Sequence, residues 1–498
     1  MSADRPIDDD PDAAALDARA IAVIGLDCRV PGASDAATFW RLLCAGRDAV
    51  VRWPAPAGFV RAHGALAGVA RFDAARFGLS PADAAALDPQ QRLLLLSAWR
   101  ALEDAGLAVP RRAADAGPRI GVFVAGGLSP YGLAQLQAHA DDPEADPVQL
   151  DAVGALPDHL APRLAHHLGL RGPALGVQAT CAGGLAAVHQ AVWALRHGLC
   201  DVALAGGVRV ATPFDRPLRW RAGGPLSPSG RCRPFDAEAE GIVGGSGVGV
   251  VVLRPLDAAQ AHGDPIRAVI RGIALTQDGG VGAGYRAPAA DGQVDAYRAA
   301  LADAGLAPSA IDVVETHGAG TPVGDAVELA ALAAVYGRDP SRRAAPLVLG
   351  GVKSNLGHLD AAAGIVGLIK TALMLERAHV PPTLHHAAPR AELADLPFAV
   401  GVAGRDWPMR DAHASSPSPR RAAVTAIGLG GTNVHAVLTS PPPSLTHPAS
   451  GAPALVPVSA ISEAACAAAA RRIGAHLARR PAALDAIAQT LQDGRRPA

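Results

Sequence analysis

The chain has 498 residues, of which half are hydrophobic, and its formal net charge is -1. This balance gives no reason to expect nucleic acid or an anionic membrane as a partner, and no apolar run approaches the roughly 20 residues of a membrane-spanning helix. The six cysteines include no CxxC pair and are too sparse for a disulfide scaffold, so we expect a cytoplasmic protein with reduced thiols.

The N-terminal residues 1–18 are polar and acidic, without the basic and apolar regions of a signal peptide. We interpret them as a solvated lead-in, with a docking tail for a partner protein as the alternative. From residue 19 to residue 258, short apolar segments alternate with helical patterns, which predicts a layered α/β fold. The predicted strands cover 20–28, 119–127, 174–180, 201–208 and 247–256, and an amphipathic helix is predicted over 89–106.

The same alternation restarts after a short polar break and fills residues 259–440. Two α/β halves of comparable length predict one domain with two lobes and a cleft between them, not independent modules. Residues 441–498 read as a Pro-rich linker followed by a helical tail. Strands are predicted over 266–275, 311–317, 347–354, 422–428 and 434–438, and helices over 294–305, 327–337 and 362–378.

The stretch GVQATCAGGLAAVHQAV places Cys181 between a predicted strand and a predicted helix. Unpaired N–H groups and the dipole at a helix N-terminus favour a thiolate. Gly183 and Gly184 would let another group approach the backbone closely. A cysteine that only packs in the core is the alternative, and this stretch alone does not decide between the two.

The stretch VVETHGAGTPVGDAVEL ends a predicted strand at His317 and enters a glycine-rich loop. Asp325 and Glu328 follow at the start of a helix, where acidic side chains suit the helix dipole. Taken alone, this pattern also fits an ordinary capped loop with an incidental histidine.

Two later stretches have a similar layout. In GGVKSNLGHLDAAAGIVGLIK, Lys353 and Asn355 are predicted to close a strand, and His358 precedes a helix. AIGLGGTNVHAVL (426–438) is a glycine-dense turn between two strands, either a tight hairpin or a source of backbone N–H groups for an oxyanion.

Ligands gather at the carboxyl ends of strands in α/β sheets, where all four stretches are predicted to lie. There, Cys181, His317 and His358 would form a nucleophile with two hydrogen-bonding or acid/base partners. A metal site made of the same three residues is the competing hypothesis. It is disfavoured because no two of them have the short spacing usual for zinc ligands, so we expect no metal.

These four stretches, in this order, resemble the β-ketoacyl synthases of the thiolase-like fold, and the ketosynthase domains of modular type I polyketide synthases in particular. The resemblance covers roughly residues 19–440. It implies two similar α/β halves in an α-β-α-β-α layering. The tail resembles the start of the linker that follows such domains. Supporting stretches are IAVIGLDCRVPGASDAATFW, FDAARFGLSPADAAALDPQQRLLLLSAWRALEDAG and LSPSGRCRPFDAEAEGIVGGSGVGVVVL.

The resemblance also implies catalytic roles. Cys181 would accept an acyl group from the phosphopantetheine arm of a carrier protein. His317 and His358 would assist decarboxylation of a malonyl-type thioester and stabilise its enolate, which would then attack the acyl group. The backbone N–H groups of Cys181 and Leu429 would form the oxyanion hole.

Other positions matched by the resemblance would support these steps. A supporting polar and charged network is implied for Lys353, Asp325, Glu328 and Asn355. Binding of the pantetheine arm or substrate is implied for Thr321, Gly430 and Gly431. No bound cofactor is implied, and the partners would be upstream and extender-bearing carrier proteins and a second copy of the chain in a homodimer. No acyltransferase GxSxG motif or carrier-protein serine motif is found, so carrier proteins would act in trans or on a longer synthase.

Three departures from the family pattern bear on substrate handling. Ala182, Gly183 and Gly184 stand where the family commonly has serines, Ala319 stands at a usual threonine, and Ile427 replaces a frequent phenylalanine. Two other functions therefore stay open beside condensation. One is acyl transfer to a hydroxyl, amine or other carrier without decarboxylation, and the other is a non-catalytic partner subunit.

Overall fold

The computed structural model describes residues 17–108, 117–141, 154, 156–281, 284–337, 345–409, 418–443, 454–479 and 483–494. The predicted docking tail therefore lies outside the described residues, apart from Asp17 and Ala18, and so does the part of the linker at 444–453. Within the described chain no helix is both long enough and apolar enough to span a membrane.

Local capping fixes where several helices begin. Asp88 accepts the Gln90 N–H (2.8 Å) ahead of Pro89, and Asp35 accepts the Thr38 N–H (2.7 Å). The described helices are α1 Ala36–Cys44, α2 Pro81–Ala86, α3 Pro89–Asp104, α4 Pro130–Ala140, α5 Leu160–Leu168, α6 Gly183–Arg196, α7 Leu256–His262, α8 Ala290–Asp303, α9 Pro322–Tyr336, α10 Lys353–Leu356, α11 Ala363–Arg377, α12 Glu463–Arg479 and α13 Leu484–Asp493.

One mixed sheet organises the described chain, and its strands are almost continuously apolar because helices cover both faces. Its strands are β1 Ile21–Arg29, β2 Ile120–Gly126, β3 Ala174–Gly176, β4 Val202–Arg209, β5 Gly247–Pro255, β6 Ala268–Gln277, β7 Val313–Glu315, β8 Leu347–Gly350, β9 Phe398–Val400, β10 Arg421–Ile427 and β11 Thr432–Thr439. Separate two-residue strands pair Val51–Arg52 with Ala62–His63, Phe59–Val60 with Leu218–Arg219, and His379–Val380 with Arg405–Asp406.

The strand order is β9-β8-β7-β10-β11-β6-β1-β5-β4-β2-β3, so the two halves of the chain supply the two ends of the sheet. They join where β1 and β6 pair antiparallel, with Ile21 opposite Ile270. Each half combines parallel pairs, such as β2 with β4 and β7 with β10, with antiparallel ones.

Three hydrophobic clusters define the layers. Helices α6 and α11 share the central cluster with strand residues from both halves, including Leu253 and Val424. Helices α3 and α5 cover the outer face of the first half, and α8 and α9 cover that of the second. This is the predicted α-β-α-β-α layering, and the predicted fold class is confirmed. Helices α6 and α11 pack between the two halves of the chain.

Several predicted strands are too long. The strand predicted over 174–180 ends at Gly176, and the one over 347–354 ends at Gly350. Lys353 and Asn355 therefore do not close a strand: they lie in the short helix α10. The chain turns there because the Glu315 carboxylate, at the end of β7, accepts the Val352 N–H (2.7 Å). Helix α10 begins at the next residue.

A buried ion pair lies beneath the same turn. Lys370 Nζ is 2.6 Å from Glu315 Oε2, and both side chains are 1% exposed. Removing one partner of such a pair leaves an uncompensated buried charge, which costs about 3–5 kcal/mol. We expect Lys370→Met to lower the urea midpoint of unfolding of the full chain accordingly. Adding Glu315→Gln, which keeps an acceptor for Val352, should restore most of the loss; a single variant as stable as wild type would contradict this.

Candidate active site

The structure brings the four predicted stretches together at one end of the sheet. Cys181 lies in a 3-10 turn (Thr180–Ala182) between β3 and α6, and His317 is the second residue after β7. The His317 and His358 rings are 5.5 Å apart in an edge-on arrangement. The turn that contains Leu429 joins them, because Thr180 Oγ1 donates to the Leu429 carbonyl (3.0 Å).

The backbone at the Thr180–Ala182 turn is strained and tightly packed. Thr180 has a φ of +47°, in the left-handed region that a β-branched residue seldom adopts. A Cβ on Gly428 would come within 2.6 Å of the Ala179 carbonyl oxygen. The glycine turn therefore lies directly against the cysteine turn, which holds Cys181 in a fixed position.

The thiol of Cys181 is partly buried, and burial raises its pKa to about 11. Asp360 adds to the increase, since its Oδ1 lies 3.8 Å from Sγ, whereas the Leu429 backbone N–H and the Lys353 ammonium lower the pKa. The helix N-terminus favours a thiolate, whereas burial and the neighbouring carboxylate of Asp360 oppose it.

Both histidines are held by backbone N–H groups that donate to Nδ1. Ile427 N–H donates to His317 (3.2 Å), and Asp360 N–H donates to His358 (2.9 Å). Burial, assisted by the Lys353 ammonium, lowers the pKa of His317 well below its usual value and that of His358 to about 3. Each ring is therefore neutral and carries its proton on Nε2. The site holds two Nε2–H hydrogen-bond donors close to a thiol.

The acidic residues of α9 anchor the His317 loop through its backbone. Glu328 accepts the N–H groups of His317 and Gly318 (2.7 and 2.8 Å), and Asp325 accepts those of Gly320 and Phe235 (3.0 and 2.7 Å). Burial raises the pKa of Glu328 to about 7 and that of Asp325 to about 6, although these N–H groups oppose the increase.

Lys353 is buried beside the same loop and donates to the His317 carbonyl. Burial lowers its pKa, and the charge of Glu328 opposes that decrease. Its charge adds to the lowering of both histidine pKa values by burial, so Lys353 acts on the site through its charge.

The remaining predicted site residues make contacts of three different kinds. Thr321 caps α9 by accepting the Gly324 N–H (3.2 Å), and Gly430 and Gly431, with φ of +102° and +90°, form the tight turn after Leu429. Asn355 instead donates to the Arg47 carbonyl (3.1 Å), which ties it to the loop after α1. Among the residues described, no group of three or more His, Cys, Asp or Glu side chains could hold a metal ion.

Family models match most of the chain. The β-ketoacyl synthase N-terminal domain matches residues 18–259, its C-terminal domain matches 267–387, and the ketoacyl-synthetase C-terminal extension matches 391–496. Ketosynthase twelve of the bacillaene polyketide synthase of Bacillus amyloliquefaciens superposes with a TM-score of 0.85 at 31% identity, over 97% of this chain and 83% of that structure. The chain belongs to the β-ketoacyl synthase family.

Curated relatives place this ketosynthase among the polyketide synthases. A phenolphthiocerol/phthiocerol polyketide synthase protein of Mycobacterium tuberculosis is 42% identical over 85% of this chain and 29% of its own length. Spectinabilin polyketide synthase system protein NorC of Streptomyces orinoci is 40% identical over 87% of this chain and 19% of its own. The chain thus spans less than a third of the length of either relative. The resemblance to modular polyketide synthase ketosynthases is confirmed, as is an enzyme of the β-ketoacyl synthase type.

Packing explains why Gly183 and Gly184 follow Cys181 where serines are common in the family. A Cβ on Gly184 would lie 2.7 Å from the Ala361 carbonyl oxygen, and one on Gly183 would lie 2.9 Å from the Ala125 Cβ. Serine side chains therefore do not fit at these two positions in this ketosynthase without a backbone shift. For Ala319 the structure shows a nearly buried methyl group, and nothing in it explains the loss of the hydroxyl.

A cavity of about 420 Å³ lies beside Cys181 and His358. Its lining includes residues that were not predicted from the sequence. Asp360 and Arg209 line it and form an ion pair, with Nε to Oδ2 at 3.6 Å. Asp360 was within reach of prediction, since it lies two residues after His358 and a helix follows it. Arg209 and His63, also in the wall, carry no local pattern that marks them.

The contact between Asp360 and the thiol gives a prediction for pH dependence. The carboxylate raises the pKa of Cys181, so Asp360→Asn should lower it and increase the thiolate fraction at pH 8. Alkylation by iodoacetamide should accelerate by about threefold for each unit by which the pKa falls. The gain in thiolate fraction is larger than this, but a thiolate of lower pKa is a weaker nucleophile, which offsets part of the gain. The midpoint of the rate against pH should fall below the wild-type value near 11. An unchanged midpoint in Asp360→Asn would contradict the electrostatic role.

Proposed function

We propose that this ketosynthase accepts an acyl group on Cys181 from the phosphopantetheine arm of a carrier protein. It then condenses that group with a malonyl-type carrier-protein thioester by decarboxylation. The observation that carries the proposal is the pair of neutral Nε2–H donors, His317 and His358, of which His358 lines one cavity together with the Cys181 thiol.

In the first step the Cys181 sulfur attacks the acyl thioester carbonyl, and the pantetheine thiol leaves with the proton. The developing oxyanion would receive hydrogen bonds from the backbone N–H groups of Cys181 and Leu429. The interaction of the Leu429 backbone N–H with Sγ supports this role, because it places that N–H group beside the atom that bonds to the acyl carbonyl. The strained Thr180 turn holds the sulfur in place.

In the second step the bond between the malonyl carboxylate and its α-carbon breaks and CO₂ leaves. Its electron pair forms an enolate, whose oxygen would accept the Nε2–H bonds of His317 and His358. The α-carbon then attacks the acyl thioester carbonyl, and the Cys181 sulfur leaves with the electron pair of the C–S bond and takes up a proton from water. Neutral donors suit this step, since they stabilise the enolate without delivering a proton to it.

The remaining roles concern binding and assembly. Thr321, Gly430 and Gly431 would contact the pantetheine arm, and Lys353, Asp325, Glu328 and Asn355 would support the loops. Upstream and extender-bearing carrier proteins would be the partners, in the cytoplasm, with no bound cofactor. A homodimer is supported by strand β3, which is the last strand at its end of the sheet among the described residues and has a 54% exposed Leu175.

The test follows both half-reactions by intact-protein mass spectrometry. The full chain is incubated with an acyl-pantetheine thioester and then with malonyl-carrier protein. We expect an acyl mass on the chain, then its loss together with CO₂ release and a 3-oxoacyl mass on the carrier. Carrier protein without malonate is the control. Acyl loading followed by transfer to another acceptor without CO₂ would overturn the proposal in favour of simple acyl transfer.

A further inference from the structure

The Cys181 thiol donates its hydrogen bond to a carboxylate and not to a histidine. Its Sγ lies 3.8 Å from Asp360 Oδ1, with the S–H directed at that oxygen. His317 and His358 each accept a backbone N–H at Nδ1 and carry their proton on Nε2. Neither imidazole therefore has a free nitrogen that could take the thiol proton, whereas the Asp360 carboxylate is in contact with it.

The Asp360 carboxylate is held with one oxygen towards the sulfur. Its other oxygen, Oδ2, lies 3.6 Å from Nε of Arg209, the last residue of β4. Arg209 is fixed in turn, because its Nη1 donates to the Leu128 carbonyl (3.3 Å). The backbone of Asp360 has a φ of +50°, in the left-handed region, and its N–H donates to His358 Nδ1. Strained positions of this kind cluster at active sites.

The resting thiol needs a proton acceptor before or during its attack. Burial, together with the Asp360 charge, raises the pKa of Cys181 to about 11, and the Lys353 ammonium only partly opposes this. At neutral pH nearly every molecule therefore carries the proton on sulfur, although the thiolate is the nucleophilic form. Sulfur binds its proton less tightly as it bonds to a carbonyl carbon, so a carboxylate in contact can remove the proton during attack. Asp360 lines the same cavity as Cys181 and His358, beside the place of a bound thioester.

We propose that Asp360 is a catalytic residue, the general base of the loading step, and that Arg209 is its positioning residue. The carboxylate takes the S–H proton as the Cys181 sulfur bonds to the acyl carbonyl carbon. The pantetheine sulfur then leaves with the electron pair of its C–S bond, and the carboxylic acid of Asp360 returns the proton to it. No other reactant is consumed. This inference rests on the proposed function, because it concerns acyl transfer to Cys181.

The experiment measures the loading rate of the full chain by hexanoyl-pantetheine between about pH 6 and pH 8, with intact-protein mass spectrometry. In wild type the base is present throughout, so we expect the rate constant to change by less than about threefold. Asp360→Asn suits the left-handed backbone but supplies no base. Its loading depends on the thiolate alone, so its rate constant should rise about tenfold per pH unit. At the acid end it should be at least about tenfold below wild type.

Two further variants test the assignment. Asp395→Asn changes an exposed carboxylate outside the cavity lining and should keep the wild-type profile. Arg209→Gln should load more slowly and acquire a rise with pH, because the carboxylate loses the group that orients it. A merely structural role of Arg209 would lower the rate equally at every pH. Asp360→Asn loading as fast as wild type at the acid end, or a wild-type rate that rises about tenfold per pH unit, would overturn the proposal.

A second acyl donor separates this inference from the proposed function. p-Nitrophenyl acetate acylates thiols without any recognition of pantetheine, and peptide mapping locates the acetyl group on Cys181. If only this donor reacts, the proposed function fails, yet a flat wild-type profile and a steep Asp360→Asn profile would still support the base. Equal slopes for the two proteins with whichever donor reacts, or no acylation of Cys181 by either donor, would overturn it.

Discussion

Replacing Cys181 with alanine is expected to abolish acyl loading completely. No acyl mass should appear on the chain, and condensation should fall by at least about 10⁴-fold, the scale seen when a covalent nucleophile is removed. The two histidines keep their backbone hydrogen bonds in this variant, so slow CO₂ release from malonyl-carrier protein should remain measurable. The measurement is intact-protein mass spectrometry with peptide mapping.

The matched control for this loss is Cys44→Ala, which removes an exposed thiol remote from the site. It should load acyl groups as wild type does. Acyl mass on Cys181→Ala at the wild-type rate would show that another residue is the nucleophile, and the roles of the neighbouring groups would have to be reassigned.

Removing either histidine is expected to separate the two half-reactions. His317→Asn and His358→Asn should load the acyl group within a few-fold of wild type but lose about 10²–10⁴-fold in condensation, since each removes an Nε2–H donor. Asparagine replaces the Nδ1 side of the ring, whereas glutamine places an amide nitrogen near Nε2. His317→Gln and His358→Gln should therefore retain more condensation than the asparagine variants.

Single-turnover assays of the pre-acylated protein measure this separation directly. Because the pKa of His358 is about 3 and that of His317 is well below its usual value, condensation should show no histidine titration between pH 5 and pH 8. Equal losses of loading and condensation, or full condensation in an asparagine variant, would refute the donor roles.

The triad was within reach of sequence reasoning because each member lies in a contiguous motif at the end of a predicted strand. Cys181, His317 and His358 are all found near the junctions where they were expected. The pKa of the Cys181 thiol could not be predicted from the sequence. It depends on burial and on the Asp360 carboxylate, and neither is visible in a one-dimensional pattern.

The parts that sequence reasoning missed depend on long-range contacts. His63 lies on a two-residue strand and is oriented by Ser246, 183 positions away along the chain. Lys353 and Asn355 were placed in a strand because an apolar run precedes them, yet the Glu315 carboxylate turns the backbone into a helix. Contacts of this kind follow from the packed fold and leave no local periodicity.

The hydrogen bond from Thr180 to the Leu429 carbonyl sets a limit on how this domain can be recombined with its relatives. The two residues are 249 positions apart, and the glycine turn packs directly on the cysteine turn. A hybrid with a crossover anywhere between them would pair the Thr180–Ala182 turn of one parent with the glycine turn after Ile427 of another. Chimeras should therefore exchange the 180–182 and 427–431 segments together.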